Sequence, residues 1–254
     1  MNSELIRNDF PILKTKVGGH QIVYFDNAAT TQRPLPVVNA VLDYTTHENG
    51  NPHRGAHIFA ISASEAYDTS KEVVRDFIHA RSEKEIIYTR NTSESLNLVA
   101  RSYGETHLKA GDHILITIAE HHSNLVTWQR VAQKTGATLD YIYVDKETGH
   151  FPEEELKKID DPRVKLFAFA EVSNVLGIDF DPKPLIQRAH AHGAIVVLDG
   201  AQSTPHKIVD VQDLDCDFFA FSGHKMCSMG GIGVLYGKEE LLNDMEPFLM
   251  GGDM

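Results

Sequence analysis

An α/β domain, built on a mixed, mostly parallel seven-stranded sheet with helices on both faces, is the fold class this sequence predicts. Short apolar runs rich in β-branched and aromatic residues alternate with longer segments of helical period, the pattern of βαβ units. The chain has 254 residues and 42% hydrophobic content, which suits one large core better than two small ones. Gly136 and Gly193 each stand between a helical pattern and the next apolar run, where a helix stop belongs.

Taken in order, residues 1–24, with Gly18 and Gly19 ahead of the apolar run 22–25, read as an arm outside the main sheet. Residues 25–254 read as the large domain. Six strands are predicted over 85–89, 113–118, 139–143, 164–170, 194–198 and 217–221. A seventh, 232–236, follows after only ten residues, too few for a crossover helix, so it should run antiparallel. Amphipathic segments 94–103, 124–135, 153–159 and 184–192 should cover the sheet faces.

A net charge of −12 argues against nucleic-acid binding, which needs clustered Lys and Arg. Two cysteines, Cys216 and Cys227, are too few for a disulfide framework and point to a reducing compartment. The first 16 residues lack the continuous apolar core of a secretory signal, and no run approaches membrane-spanning length. A cytoplasmic protein without membrane association is therefore expected.

In open α/β sheets ligands bind beyond the carboxyl ends of the strands, so the residues following each strand carry the functional argument. After the first strand comes Arg90-Asn91-Thr92-Ser93-Glu94, a polar helix start whose free N–H groups and hydroxyls suit a phosphate. The same residue types are ordinary N-caps. Glu120-His121-His122-Ser123-Asn124 offers an imidazole that could lie on an aromatic cofactor or move protons near neutral pH. An adjacent His pair lacks the i, i+4 spacing of a helical metal site, and no metal is expected. His190 and His192, inside a helical segment, are expected on exposed surface.

Asn174 lies in the turn after the fourth strand, where loop stabilisation is the simpler reading. Asp199 directly follows the buried-strand pattern Ile195-Val196-Val197-Leu198, and a carboxylate there needs a partner such as a protonated ring nitrogen. Ser222-Gly223-His224-Lys225 then brings a lysine to the same edge, where partial desolvation would let its amine form a Schiff base. Gly231-Ile232-Gly233 flanks a strand instead of opening a helix, so it is no dinucleotide fingerprint.

These residues resemble the fold-type I pyridoxal-phosphate (PLP) enzymes of aminotransferase class V, and among them cysteine desulfurases of the SUF type. The resemblance runs through Tyr24-Phe25-Asp26-Asn27-Ala28-Ala29, His53-Arg54-Gly55, the 91–97 turn, Glu120-His121-His122, the 172–177 turn, Asp199-Gly200-Ala201-Gln202 and the residues 221–225. It implies that Lys225 carries pyridoxal 5'-phosphate as a Schiff base and that His121 stacks on the pyridine ring. Asp199 would pair with the ring nitrogen and Gln202 with the phenolic oxygen. Thr92, Ser222 and His224, with Ser93 nearby, would hold the phosphate, and Asn174 would sit near ring and substrate. Lys225 and His121 are the implied catalytic residues.

The resemblance further implies a homodimer, with His53 and Arg54 near the substrate entrance. The implied reaction takes L-cysteine to L-alanine, with sulfur passing as a persulfide to an acceptor, such as a sulfur-acceptor protein, in iron–sulfur cluster assembly. Two departures stand out. Met226-Cys227-Ser228-Met229-Gly230-Gly231 replaces the family's Gly-Pro-Thr-Gly type loop. The sequence also stops where family members continue into a small C-terminal domain, with which the arm 1–24 would associate and which carries the acceptor cysteine and a substrate-binding arginine. That domain is expected to be absent here, and the chain as given to be impaired. Cys227 is not expected to substitute for the acceptor, because the family's cysteine approaches from the other side of the substrate. Another class V activity (selenocysteine lyase, epimerase or aminotransferase) is the runner-up. A metal-dependent hydrolase using His121, His122 and Asp199, or a non-catalytic binding remnant, are the readings from other classes.

Overall fold

The computed structural model describes residues 3–251. The ends of the arm and large-domain assignments, at Met1-Asn2 and at Gly252 to Met254, lie outside the described residues. Strands Lys16–Val17 (β1) and His20–Gln21 (β2) form a separate antiparallel hairpin. Its two-residue turn is Gly18-Gly19, with φ of 59° and 85°, the left-handed pair that a tight hairpin requires.

The main sheet comprises Ile86–Thr89 (β3), His113–Thr117 (β4), Thr138–Ile142 (β5), Val164–Ala170 (β6), Ile195–Asp199 (β7), Phe218–Ser222 (β8) and Gly233–Gly237 (β9). Their spatial order is β3-β9-β8-β7-β6-β4-β5. Strand β9 pairs antiparallel with both β3 and β8, while the pairs among β4 to β8 are parallel. The predicted mixed seven-stranded sheet is therefore observed, with its single reversed strand where the short connection required it.

Side chains alternate between two apolar layers, as the strand period demands. Leu115, Phe167, Phe169, Val196, Leu198 and Phe219 pack in one layer. Ile114, Ile116, Leu166, Val197, Phe218 and Leu235 pack in the other. Helices Leu35–Asp43 (α1), Ile58–Ile78 (α2), Thr92–Val99 (α3), His122–Thr135 (α4) and Pro182–Ala191 (α5) accompany the sheet. Helix α4 buries Trp128 and Val131 in the second layer, and α5 buries Leu185, Ile186 and Ala189 in the first. Gly136, at φ 76°, and Gly193, at φ 78°, stop α4 and the α5 region as expected.

Three differences from the sequence reading have physical causes. The segment predicted as one helix over 94–103 is α3 followed by a π-helical turn Ala100–Gly104, and that over 153–159 is Glu153–Leu156 followed by a 3-10 turn Lys157–Asp160. Helices α1 and α2 carry no predicted apolar stripe: α1 buries no residue, and α2 buries only Ala60, Ala63 and Ile78. His190 is half-buried, not exposed surface, because its Nε2 bonds Asp217 Oδ2 at 2.8 Å. No described helix is long and apolar enough to cross a membrane.

The His190 contact makes stability depend on pH. The hydrogen bond to Asp217 raises the His190 pKa above its ordinary value, against the effects of burial and of Lys238. A raised histidine pKa stabilises fully below the unfolded-state value and loses that contribution as pH rises through the folded-state value. His190→Gln should therefore cost about 1 kcal/mol more at about pH 5 than at about pH 9, measured by urea unfolding. An equal cost at both pH values would remove the charged pair from the account.

Candidate active site

The carboxyl ends of β3, β6, β7 and β8 open onto one cleft of ≈ 580 Å³. All nine residues predicted from sequence line it: Thr92, Ser93, His121, Asn174, Asp199, Gln202, Ser222, His224 and Lys225. A larger apolar groove of ≈ 1150 Å³ runs between α2 and the β8–β9 hairpin, and its walls hold no lysine or histidine. The predicted site residues gather in the smaller cleft.

One end of the cleft is a polar cradle. Asn91 caps α3 by accepting a hydrogen bond from Glu94 N–H at 2.9 Å. The Thr92 N–H donates to Ser222 Oγ at 2.7 Å, and the two hydroxyls lie 2.6 Å apart. Strand β9 can press this close only because of Gly233, where a Cβ would stand 2.5 Å from the Asn91 Cα. His224 closes the cradle, its Nδ1 3.2 Å from Thr30 Oγ1.

Lys225 follows β8 in a 3-10 turn, Gly223–Lys225. Burial lowers its pKa, opposed by the charge of Asp199. Asp199 ends β7 at 4% exposure and accepts the Ala201 N–H at 2.9 Å. Burial raises its pKa, opposed by that backbone bond, Lys225 and His121. Gln202 donates from Nε2 to the Ala28 carbonyl at 2.7 Å, tying the residues after β7 to the 26–31 segment.

His121 caps α4 with its own ring: Nδ1 accepts the Ser123 N–H at 3.2 Å. An acceptor Nδ1 leaves the neutral ring's proton on Nε2. Burial first, and then Lys225, lowers the His121 pKa, which favours that neutral form. Asn174 sits in an exposed turn held by Ser173, whose Oγ donates to the Ala119 carbonyl at 3.1 Å and receives the Leu176 N–H at 3.2 Å.

Some expected residues fall elsewhere. His53 and Arg54 line no part of the cleft; His53 has φ 61° and lies 3.4 Å from Asp68. His122 is also outside, so the set His121, His122 and Asp199 is not gathered, and no group of three or more potential metal ligands occurs among the described residues. Cys216 is fully buried, which pushes its thiol pKa far up. Cys227 faces a different pocket, with Tyr24 and Phe25. Sequence reasoning assigned no role to Thr30 and Thr31, which bind the His224 carbonyl, Oγ1 of each at 3.1 and 3.0 Å. No local signal could find a contact across more than 190 residues.

The aminotransferase class-V family profile matches residues 23–254. The chain belongs to that family. A probable cysteine desulfurase of Halalkalibacterium halodurans is 49% identical over 254 residues, covering 100% of this chain and 62% of the relative. A cysteine desulfurase of Synechococcus elongatus is 49% identical over 249 residues, 98% of this chain and 40% of the relative. Among solved structures, an Escherichia coli cysteine desulfurase superposes with TM-score 0.89 at 40% identity, over 100% of this chain and 62% of the other. An apo cysteine desulfurase from Thermococcus onnurineus gives TM-score 0.91 at 43% identity, over 99% and 61%. This chain thus spans at most 62% of the length of these proteins. Its architecture is the fold type I of PLP-dependent enzymes.

The class V family uses PLP. The cleft fits that cofactor chemically: a half-buried amine, a buried carboxyl group with one backbone donor, and a hydroxyl-lined helix start share its walls. Asp199 gives a direct test. Without a cationic ring opposite it, its ionised form is destabilised by burial, and a raised carboxyl pKa means stability lost as pH rises through the folded-state value. Asp199→Asn should make the cofactor-free chain about 1–3 kcal/mol more stable near neutral pH and give no gain at about pH 4. Added PLP should raise the melting temperature of the wild type more than that of the variant. Thermal unfolding with and without PLP measures both, and a variant less stable without cofactor would contradict the argument.

Proposed function

We propose that this chain is the cofactor-binding part of a PLP-dependent cysteine desulfurase, of the SUF type its motifs resemble. L-cysteine and an acceptor thiol would yield L-alanine and a persulfide, the sulfur then serving iron–sulfur cluster assembly. The observation that carries the reading is Lys225 itself: a desolvated amine, without hydrogen bond or ion pair among the described residues, facing the cleft that also holds Asp199. When bound, PLP supplies an aldehyde that condenses with amines and a cationic ring that draws electrons from the substrate α-carbon.

The chain's own residues supply the rest. Thr92, Ser222 and His224, with Ser93, would hold the phosphate, and Asp199 would keep the ring nitrogen protonated. Gln202 would bond the phenolic oxygen, and Asn174 would border ring and substrate. Lys225 Nζ, lowered in basicity by burial, would hold the cofactor and, when free, take and return a proton at the substrate. His121 would stack on the ring and offer its Nε2 proton.

The division into an arm, 1–24, and a PLP-binding domain, 25–254, belongs to the same proposal, as does a homodimer in the cytoplasm. A second copy would cover the outer face of α2, where Ile58, Phe59, Ile61, Val73 and Phe77 are exposed. Neither Cys216 nor Cys227 lines the described cleft, and the proposal assigns the acceptor thiol to neither of them.

Two outcomes follow. Borohydride reduction of the PLP-loaded chain should leave the pyridoxyl group on Lys225, and peptide mapping that finds it on another lysine would refute the assignment. Alanine release from cysteine by the 254-residue chain should be negligible beside that of the same chain joined to a relative's remaining sequence. Robust turnover by the chain alone, abolished by Cys227→Ala, would make Cys227 the acceptor instead.

A further inference from the structure

Glu120 is a buried acid that the proposed chemistry does not use. It is 8% exposed and sits between the end of β4 and the start of α4, next to His121. Its Oε1 accepts the Ala170 N–H at 3.0 Å and bonds the Thr117 hydroxyl. Its Oε2 accepts from Asn124 Nδ2 at 2.6 Å. The Asn124 amide cannot turn round, because its Oδ1 accepts from Trp128 Nε1 at 2.8 Å and an indole N–H only donates. Each carboxyl oxygen therefore meets one obligate donor. A carboxyl group satisfies both; an amide of the same shape would set its NH₂ against one of them.

These bonds join three elements that form the cleft. Thr117 ends β4, Ala170 ends β6 beside Asp199 in the sheet register, and Asn124 lies in the first turn of α4. His121 stands inside this frame, its ring fixed only by Ser123. We propose that Glu120 is a positioning residue, whose buried carboxyl group holds the His121 ring in its Nε2-protonated orientation relative to Asp199. Burial drives the Glu120 pKa up to about 8 against its three hydrogen bonds, and the nearby Asp199 charge adds to the rise. At neutral pH Glu120 thus largely keeps its proton.

The inference rests on the PLP reading for its functional meaning, but it is tested without cofactor. Imidazole ¹⁵N shifts of the PLP-free chain should show His121 as a single Nε2–H tautomer in the wild type. A tautomer mixture in the wild type would overturn the inference whatever any variant does. Glu120→Gln and the shape-preserving Thr117→Val, each with a cooperative thermal transition, should both give a mixed His121 tautomer while leaving His224 unchanged. An unaltered single tautomer in either folded variant would equally overturn it. With PLP added, Glu120→Gln should still yield pyridoxyl-Lys225 but lose most of the visible circular dichroism of the bound chromophore. A wild type that binds no PLP would sink the functional reading and leave the ¹⁵N result to judge the role of Glu120 in placing the ring.

Discussion

Lys225 and Asp199 face one cleft, the amine half-buried and the carboxyl group almost fully buried. Burial disfavours the charged form of each, and each partly relieves the other. The sheet imposes this condition. Strands β7 and β8 are adjacent and parallel, and both end at the same edge, so the residues that follow them must share a cavity. The reversed β9 then brings Gly233 against the Asn91 backbone, bringing the α3 cradle up to the end of β8. A cofactor with a cationic ring and an anionic phosphate would fit both features, as proposed.

Second-tier contacts hold this arrangement. The 26–31 segment lies across the mouth, bonded to Gln202 through Ala28 and to His224 through Thr30 and Thr31. Glu120 does the corresponding work on the opposite wall. Both are polar ties between elements distant in sequence, and both act on residues that would touch the cofactor. The geometry of the cleft is thus set less by the reactive side chains than by buried hydrogen bonds behind them.

Much of this was legible in the sequence because buried parallel strands write themselves as short apolar runs, and β6, Val164–Ala170, has the predicted bounds. The candidate site residues were singled out because each follows such a run, and the structure brings them to one cleft. Helix α2 was not legible: Ile58, Phe59, Ile61, Val73 and Phe77 face outward, and its buried contacts are mostly alanines. His190 was misread because its partner Asp217 lies 27 residues further on. Glu120 was quoted only as part of a motif, since a glutamate is seldom buried and nothing local announces three partners. His53 and Arg54 entered by resemblance alone, and the chain by itself does not bring them to the cleft.

The central claim is that burial, with Asp199 as the only countercharge, tunes Lys225 before any cofactor arrives. A ¹⁵N or ¹³C titration of the Lys225 side chain in the PLP-free protein tests it most directly. The account predicts a midpoint below the ordinary lysine value, and a further fall in Asp199→Asn, where the carboxylate that opposes the shift is gone. A midpoint at or above that of a solvated lysine, unmoved by Asp199→Asn, would contradict it.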